Sequence, residues 1–397
     1  MPIKILHIDD KCTGCGACVS TCAKGALTLE DNAEGFYYPI LDKGKCVDCK
    51  LCEKACHVLC IREKEKGVVK DYTPYMLKAN DKSIVMQSSS GGVFSLLSAK
   101  IIEEGGVVYG ARYNYELERL EHCSTDDCSI EELRKSKYIE SYLGNIFTDV
   151  RKQLQIGRKV LFCGTPCQIK GLKNYLETKK TNIERLVTVR FICHGVPANK
   201  FFTEYKKWKE NIVGSKITQI DFRPKTRGWS QSNILLKFAN GKVIDEAYKE
   251  NYYYYYYYFQ INNTLRKSCY HCNLIEDSFC DYTIGDFWGL FKYSPDTKEE
   301  EGISLVLAHS MQAKEQLQQL DCSIKELPQE AVEYIYKDAK AKSQIYHKRQ
   351  ATMAEILQIG YMNHAIKKLR KDIIKYKIKT RTVWILKKIG IWKIIKG

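Results

Sequence analysis

From Tyr72 to about Arg349 short apolar runs alternate with stretches of helical spacing. Runs at Val107–Tyr109, Val160–Phe162, Leu186–Ile192 and Ile303–Ala308 read as strands, and helical patterns follow several of them, at Gln168–Leu176, Lys200–Glu210 and Met311–Leu320. The alternation predicts an α/β (α+β) body over residues 72–350, with an N-terminal part of about 72–150 and a C-terminal part of about 155–325. The stretch NILLKFANGKVIDEAY is expected to be a hairpin turning on Asn240-Gly241, both at positive φ. Residues 1–62 are different: long apolar runs are scarce and cysteines are dense, as in a small domain built round metal. Between the two lies a short charged linker, Arg62 to Asp71, and residues 350–397 read as helical and basic. The tyrosine run Tyr252–Tyr258 is apolar enough to pack, and is read as packing rather than as a ring-stacking surface.

Composition changes this picture in two places. Eighteen cysteines in 397 residues would suggest disulfides in a secreted protein, but the start, MPIKILHIDDKC, has no apolar signal-peptide core. Thiolates acting as metal ligands in a reducing, cytoplasmic compartment fit better. The net charge of +16 invites a nucleic-acid reading, yet residues 361–397 carry twelve Lys or Arg against one acid, Asp372, which is +11 of the total. The rest is only mildly basic, so nucleic acid is not expected as a partner. No run of about 18 apolar residues is present to span a membrane.

The cysteines of the first region repeat. Cys12, Cys15, Cys18 and Cys22 recur 34 residues later at Cys46, Cys49, Cys52 and Cys56, each set reading C-x2-C-x2-C-x3-C. That spacing wraps one loop round three corners of a 4Fe–4S cubane, and the fourth cysteine ligates the other cluster, as in bacterial-type dicluster ferredoxins. The expected sets are Cys12, Cys15, Cys18 with Cys56, and Cys46, Cys49, Cys52 with Cys22. Zinc would want pairs of cysteines rather than interlocked quartets. Ala23 and His57 stand where such ferredoxins carry proline, which removes no ligand, and Cys60 is spare.

In the body, LFCGTPCQIKGL reads as a strand entering a helix through Gly-Thr-Pro, with Pro166 in the first turn. A helix start of this kind favours a phosphate, or a thiolate at Cys167. SSSGGVFS, RKSKYIES, FICHGVP, DFRPKTRGW and SCYHCNLIEDSFCDYTIGDFWG accompany it, while GxGxxG and GxxxxGK[ST] are absent.

Taken together and in this order, these motifs resemble the β-subunit family of coenzyme F420 hydrogenases and dehydrogenases, in its bacterial form with an N-terminal dicluster domain, over roughly residues 1–350. The resemblance implies an iron–sulfur flavoprotein oxidoreductase that moves electrons between ferredoxin-type clusters, a further 4Fe–4S cluster and FAD, to or from a deazaflavin-like or other hydride carrier such as NAD(P)H. It implies Cys167, Cys193, Cys269 and Cys272 for the third cluster, with Cys280 competing with Cys167 as the fourth ligand and a zinc site at Cys269, Cys272 and Cys280 as a rival reading. For the flavin it implies Ser89, Ser90, Gly91, Gly92, Lys137, Gly164 and Thr165, with Lys137 neutralising pyrophosphate or holding the ring. Asp286 and Trp288 either orient the flavin or close a turn, His194 either shuttles protons or is structural, and Cys163 is expected to be a core thiol. No residue is assigned as catalytic. Expected partners are a redox protein or ferredoxin, and service to surface-polysaccharide synthesis is one context the resemblance suggests. The alternative is a non-catalytic electron-transfer subunit docking to a separate catalytic partner. The basic tail 361–397, with Trp384 and Trp392, is read either as a helix at the inner face of an anionic membrane or as a docked helix with a solvated face.

Overall fold

A computed structural model describes residues 4, 8, 10–60, 72–231, 233–253, 263–274, 279–293, 301–333 and 346–388. The linker Arg62–Asp71, most of the tyrosine run (Tyr254–Tyr258) and Trp392 fall outside them.

The N-terminal domain has little regular structure. Two five-residue helices, α1 (Ala17–Thr21) and α2 (Leu51–Ala55), flank an antiparallel pair, β1 (Leu27–Asp31) and β2 (Tyr37–Leu41). Each helix starts from a left-handed residue: Gly16 (φ 72°) before α1 and Lys50 (φ 59°) before α2. Its apolar cluster consists largely of cysteines: Cys18, Cys52 and Cys56 are buried beside Leu27, with Cys22 and Cys46 packed against them.

The body is built on one eight-stranded mixed sheet. Its strands are β3 (Thr73–Ala79), β4 (Val107–Asn114), β5 (Arg119–Ser124), β6 (Val160–Gly164), β7 (Leu186–Phe191), β11 (Tyr282–Asp286), β12 (Ser304–Ala308) and β13 (Cys322–Glu326), in the order β13-β3-β12-β11-β7-β6-β4-β5. The central four, β4, β6, β7 and β11, are mutually parallel, and the outer pairings are antiparallel. The parallel strands read as continuous apolar runs because both faces are covered. Val108, Leu161, Val187 and Val189 pack under α4 (Val93–Glu103) and the helix Met311–Gln318. The short helices α3 (Lys82–Met86) and α5 (Ile130–Leu133) add Val85 and Leu133 to that face. Val107, Tyr109, Val160 and Phe162 alternate to the other face, under α6 (Ile146–Gln155) and α7 (Pro166–Thr178). Both parts of the body supply strands to this one sheet, β3 from the first lying between β13 and β12 of the second.

The expected hairpin is present as β9 (Asn233–Phe238) and β10 (Val243–Ala247), joined by β8 (Ile217–Asp221) into a smaller sheet. Its turn is not the expected one. Only Gly241 (φ 81°) is left-handed, Gly241 N donates to Phe238 O at 3.0 Å and Phe238 N to Lys242 O at 2.9 Å. This is a turn closed by a glycine bulge, which needs one positive-φ residue, not two. The smaller sheet packs with α8 (Asn199–Val213) round an aromatic core that holds Tyr253, whose hydroxyl donates to Tyr138 O at 2.5 Å.

The tail divides. In the helix Tyr361–Lys388, Tyr361, Met362, Ala365, Leu369 and Ile373 are buried in the same core, whereas Ile374, Ile378, Trp384 and Ile385 are exposed. No helix among the described residues is long and apolar enough to cross a membrane.

Candidate redox site

Cys12, Cys15, Cys18 and Cys56 line one small space together with Thr13, Gly14, Gly16 and His57. These are the cysteines the spacing assigns to the first cluster. Burial pushes the thiols of Cys15, Cys18 and Cys56 up, and neighbouring cysteines push them further; Cys18 senses Cys15, Cys12, Cys56 and Cys52. Thiols so placed would become thiolates only against a strong local positive charge, which iron supplies. Among the described residues no three Cys, His, Asp or Glu side chains gather as ligands of a single metal ion. Cys22, Cys46 and Cys52 share the domain's apolar cluster, and Cys49 is exposed beside Cys52, whose thiol burial raises to about 11. The first set, gathered round one space, fits a 4Fe–4S cubane.

This domain is set hard against α7. A Cβ on Gly171 would fall 2.8 Å from Cys15 Sγ, and Lys179 Nζ donates to Thr21 O at 3.0 Å. At the start of the same helix Thr165 and Gln168 form a reciprocal capping box (Thr165 N to Gln168 Oε1, 2.9 Å) with Pro166 at the first position. Cys167 Sγ lies 3.1 Å from Thr165 Oγ1. Burial raises this thiol to about 11, and the groups round it include Cys269, Arg266 and Glu140. Cys15 in turn senses Cys167. Cys269 sits in the 3-10 turn Lys267–His271, and Cys272 follows at its end. Cys280 packs in the core cluster under α7, and its buried thiol faces Tyr282 O (3.4 Å) and Thr283 Oγ1 (3.7 Å), beside Arg190.

A cavity of about 500 Å³ opens at the carboxyl ends of β4, β6, β7 and β11, where parallel sheets bind ligands. It is within the size range of cofactor sites. Ser89, Ser90, Gly92, Lys137, Gly164 and Thr165 line it, and so do Cys167, Cys193 and His194. Gly91 is the exception among the expected flavin residues. Its N–H donates to Ser304 Oγ at 2.9 Å, and a Cβ there would lie 2.1 Å from Leu77 O, so it is glycine because the loop runs close over the paired β3 and β12. Ser90 likewise turns its hydroxyl onto Ile303 O (2.6 Å), while Ser89 Oγ accepts from Ser136 N (2.7 Å), joining the two loops that bound the cavity. The starts of α4 and α7 both contribute to the lining, bringing two positive dipole ends to one space. Arg134 Nε, also in the lining residues, is buried without a partner among the described residues. Lys137 Nζ donates to Arg134 O at 2.6 Å, and burial lowers its pKa to about 7. Glycine at the α4 cap, two helix starts and a buried lysine fit an anionic cofactor such as the pyrophosphate of FAD.

Cys163 packs against the core as expected, but it is not enclosed there. It lies in the cavity wall, its thiol raised to about 12 by burial with Lys137 pulling the other way. Several contributors went unread in the sequence. His122 is held by Ser141 Oγ (2.7 Å) and Cys163 O (3.0 Å), and burial lowers it to about 4, so it is neutral near pH 7. Arg223 pairs with Asp286 (2.9 Å), and Trp229 Nε1 approaches the same carboxylate at 3.4 Å. Trp288, half exposed at the cavity, stacks on Trp229 at 4.7 Å. The motifs DFRPKTRGW and GDFWG carried these residues, but nothing in either motif named the ion pair.

A cysteine-rich domain of repeated ligand spacing, docked beside a cavity at the carboxyl ends of a parallel sheet, defines an iron–sulfur redox protein. The family profile for the C-terminal part of the beta subunit of coenzyme F420 hydrogenase/dehydrogenase matches residues 157–327, and a 4Fe-4S dicluster domain matches residues 11–60. The chain belongs to the F420 hydrogenase/dehydrogenase β-subunit family, with an N-terminal dicluster domain. It is 23% identical over 305 residues to the F subunit of the F(420)H(2) dehydrogenase of Methanosarcina mazei, covering 72% of this chain and 78% of that one. Over 56 residues it is 38% identical to an uncharacterized ferredoxin of Methanocaldococcus jannaschii, covering 14% of this chain and 71% of that one. A chain of the F420-reducing NiFe hydrogenase complex from Methanosarcina barkeri superposes with a TM-score of 0.44 at 18% identity, over 72% of this chain and 92% of that one.

Proposed function

We propose that this protein is an iron–sulfur flavoprotein that relays single electrons between a partner redox protein and FAD held in the cavity. The observation that carries the reading is the position of Cys167, which borders the first-cluster cysteine Cys15 and lines the cavity. A third cluster on Cys167, Cys193, Cys269 and Cys272 would stand between the dicluster domain and the flavin. The relay would run from the second cluster, whose loop exposes Val47 and Cys49, through the first cluster to the body cluster. Ser89, Gly92, Gly164 and Thr165 would admit the pyrophosphate closely, Lys137 would offset its charge, and Trp288 would border the mouth. When bound, the flavin would supply the two-electron, hydride-level chemistry that single clusters lack, toward a deazaflavin or a nicotinamide.

Anaerobically prepared protein is expected to hold about twelve irons, three clusters of four, and one non-covalent FAD. Eight irons without flavin would reduce the reading to a dicluster electron carrier. The exposed half of the terminal helix carries Ile374, Ile378, Trp384 and Ile385 among lysines and arginines, which suits peripheral contact with an anionic lipid surface.

A further inference from the structure

Arg266 stands where the two domains meet, with its side chain 1% exposed. Its Nη1 donates to Cys12 O at 3.3 Å and its Nη2 to Tyr37 O at 2.8 Å, both in the dicluster domain. Nη2 also pairs with Glu140 of the body, and the guanidinium lies over the rings of Tyr38 (4.7 Å) and Phe36 (5.2 Å). Gly14, inside the first ligand loop, is left-handed (φ 67°), and a Cβ there would fall 2.6 Å from Nη2, so the loop is shaped round this cation. On the other side, Arg266 O accepts from Cys269 N at 3.0 Å, which builds the turn that presents Cys269. Cys12, Cys167 and Cys269 all lie within its electrostatic reach. Nε–H is buried with no partner among the described residues. A permanent cation with a spare donor, placed among cysteines of two cluster sites, has more to do than join two domains.

We propose that Arg266 is the positioning residue of the junction between the first and body clusters, where its fixed, buried charge holds both reduction potentials up. Charge and N–H···S bonds near a cluster are what set its potential, and an unscreened cation in a buried place acts strongly. A cation shared by both sites shifts the two potentials in the same direction. Glu140 opposes the cation and trims its effect. The cysteines that act most on this guanidinium are Cys12 and Cys269, neither of them in the second cluster's set of Cys46, Cys49, Cys52 and Cys22.

The inference rests on the three-cluster reading above, and redox-poised EPR titration of the full-length protein tests it. Arg266→Gln is expected to keep the wild-type iron content and to lower the first and body potentials. The expected size is about tenfold in the one-electron equilibrium constant, about 59 mV, with the second cluster unmoved. Glu140→Gln is expected to move the same two potentials upward, and Arg266→Lys to restore most of the loss. Opposite signs are the signature that a purely structural pair does not give. Unchanged potentials, or shifts of the same sign in both variants, overturn the proposal, as does failure of all three variants to take up iron. A wild-type content of eight irons sinks the three-cluster reading instead, and the first cluster's shift still decides the role of Arg266.

Discussion

Lys137 has the most testable chemistry of any single residue in the cavity. Its amine is half charged near pH 7 in the empty cavity, because burial lowers its pKa to about that value. A bound pyrophosphate favours the charged form and raises that pKa. FAD affinity should therefore be flat below pH 7 and fall as pH rises through 7, by up to about tenfold per unit. Titrating FAD into the flavin-free protein between pH 6 and 9 measures this. Lys137→Met should bind more weakly at pH 6 and lose the slope; an unchanged slope would place the titrating group elsewhere. The cysteines divide by what they touch. Ser at Cys167 or Cys272 should remove about four irons, one cluster's worth, whereas Ser at Cys280, which faces Tyr282 O and Thr283, should remove none. Loss of iron in the Cys280 variant with a full complement in the Cys167 variant would reverse the ligand assignment. Cys163→Ser should keep its iron but alter FAD affinity, since the thiol lies in the cavity wall.

Among the elements, α7 and the terminal helix each set two effects against one another. Alanine at Gly171 gains about 1 kcal/mol of helix propensity. Its methyl, however, meets Cys15 Sγ at 2.8 Å and Cβ at 3.1 Å, and overpacking costs about 1–3 kcal/mol. The clash should win because a cluster ligand cannot turn aside. Gly171→Ala is thus expected to melt earlier and to perturb the EPR signal of the first cluster, and a higher melting point would show that the domains give way. In the terminal helix, Tyr361, Met362, Leu369 and Ile373 are buried, at about 1.5–3 kcal/mol each. Removing the whole of 361–397 would forfeit about as much as the full stability of a domain. Deletion of 374–397 should leave the melting point and iron unchanged and weaken binding to vesicles rich in anionic lipid, at about 1 kcal/mol per basic residue near the surface. Equal vesicle binding at moderate salt would remove lipid as the partner of the exposed half.

At the scale of the whole molecule, the dicluster domain is clamped to the body rather than tethered. Arg266, bonded to Cys12 O and Tyr37 O, holds one point, and Arg349–Glu34 a second, where Tyr361 Oη also donates to Glu34 O at 2.8 Å. One rigid path from the second cluster to the cavity follows from that docking. Cys49→Ser should remove the outer cluster, about four irons, and slow reduction by a partner protein, while the first cluster still exchanges electrons from the flavin side. If reduction by the partner is unaffected, electrons arrive by another surface.

The sequence by itself determined what lies within reach of a few residues. Cysteine spacing settled the two ligand loops, since a C-x2-C-x2-C turn allows few geometries, and the run VLFCGTPCQ settled strand, cap and helix, since Pro166 and the Thr165–Gln168 box act locally. Apolar runs marked the parallel β4, β6 and β7 and the antiparallel β12, but not the parallel β11 or the antiparallel β3 and β13, whose shorter or more polar stretches become strands by pairing. Asn240 was misread because dipeptide preference names a turn without fixing its length. Only the tertiary structure decided which distant groups meet. Arg266 and Glu140 are 126 residues apart, Arg266 and Cys12 are 254 apart, and Gly91 packs on the β3–β12 pair rather than in the cavity lining. Such pairings depend on strand order and on which faces bury one another, and no local spacing carries that information.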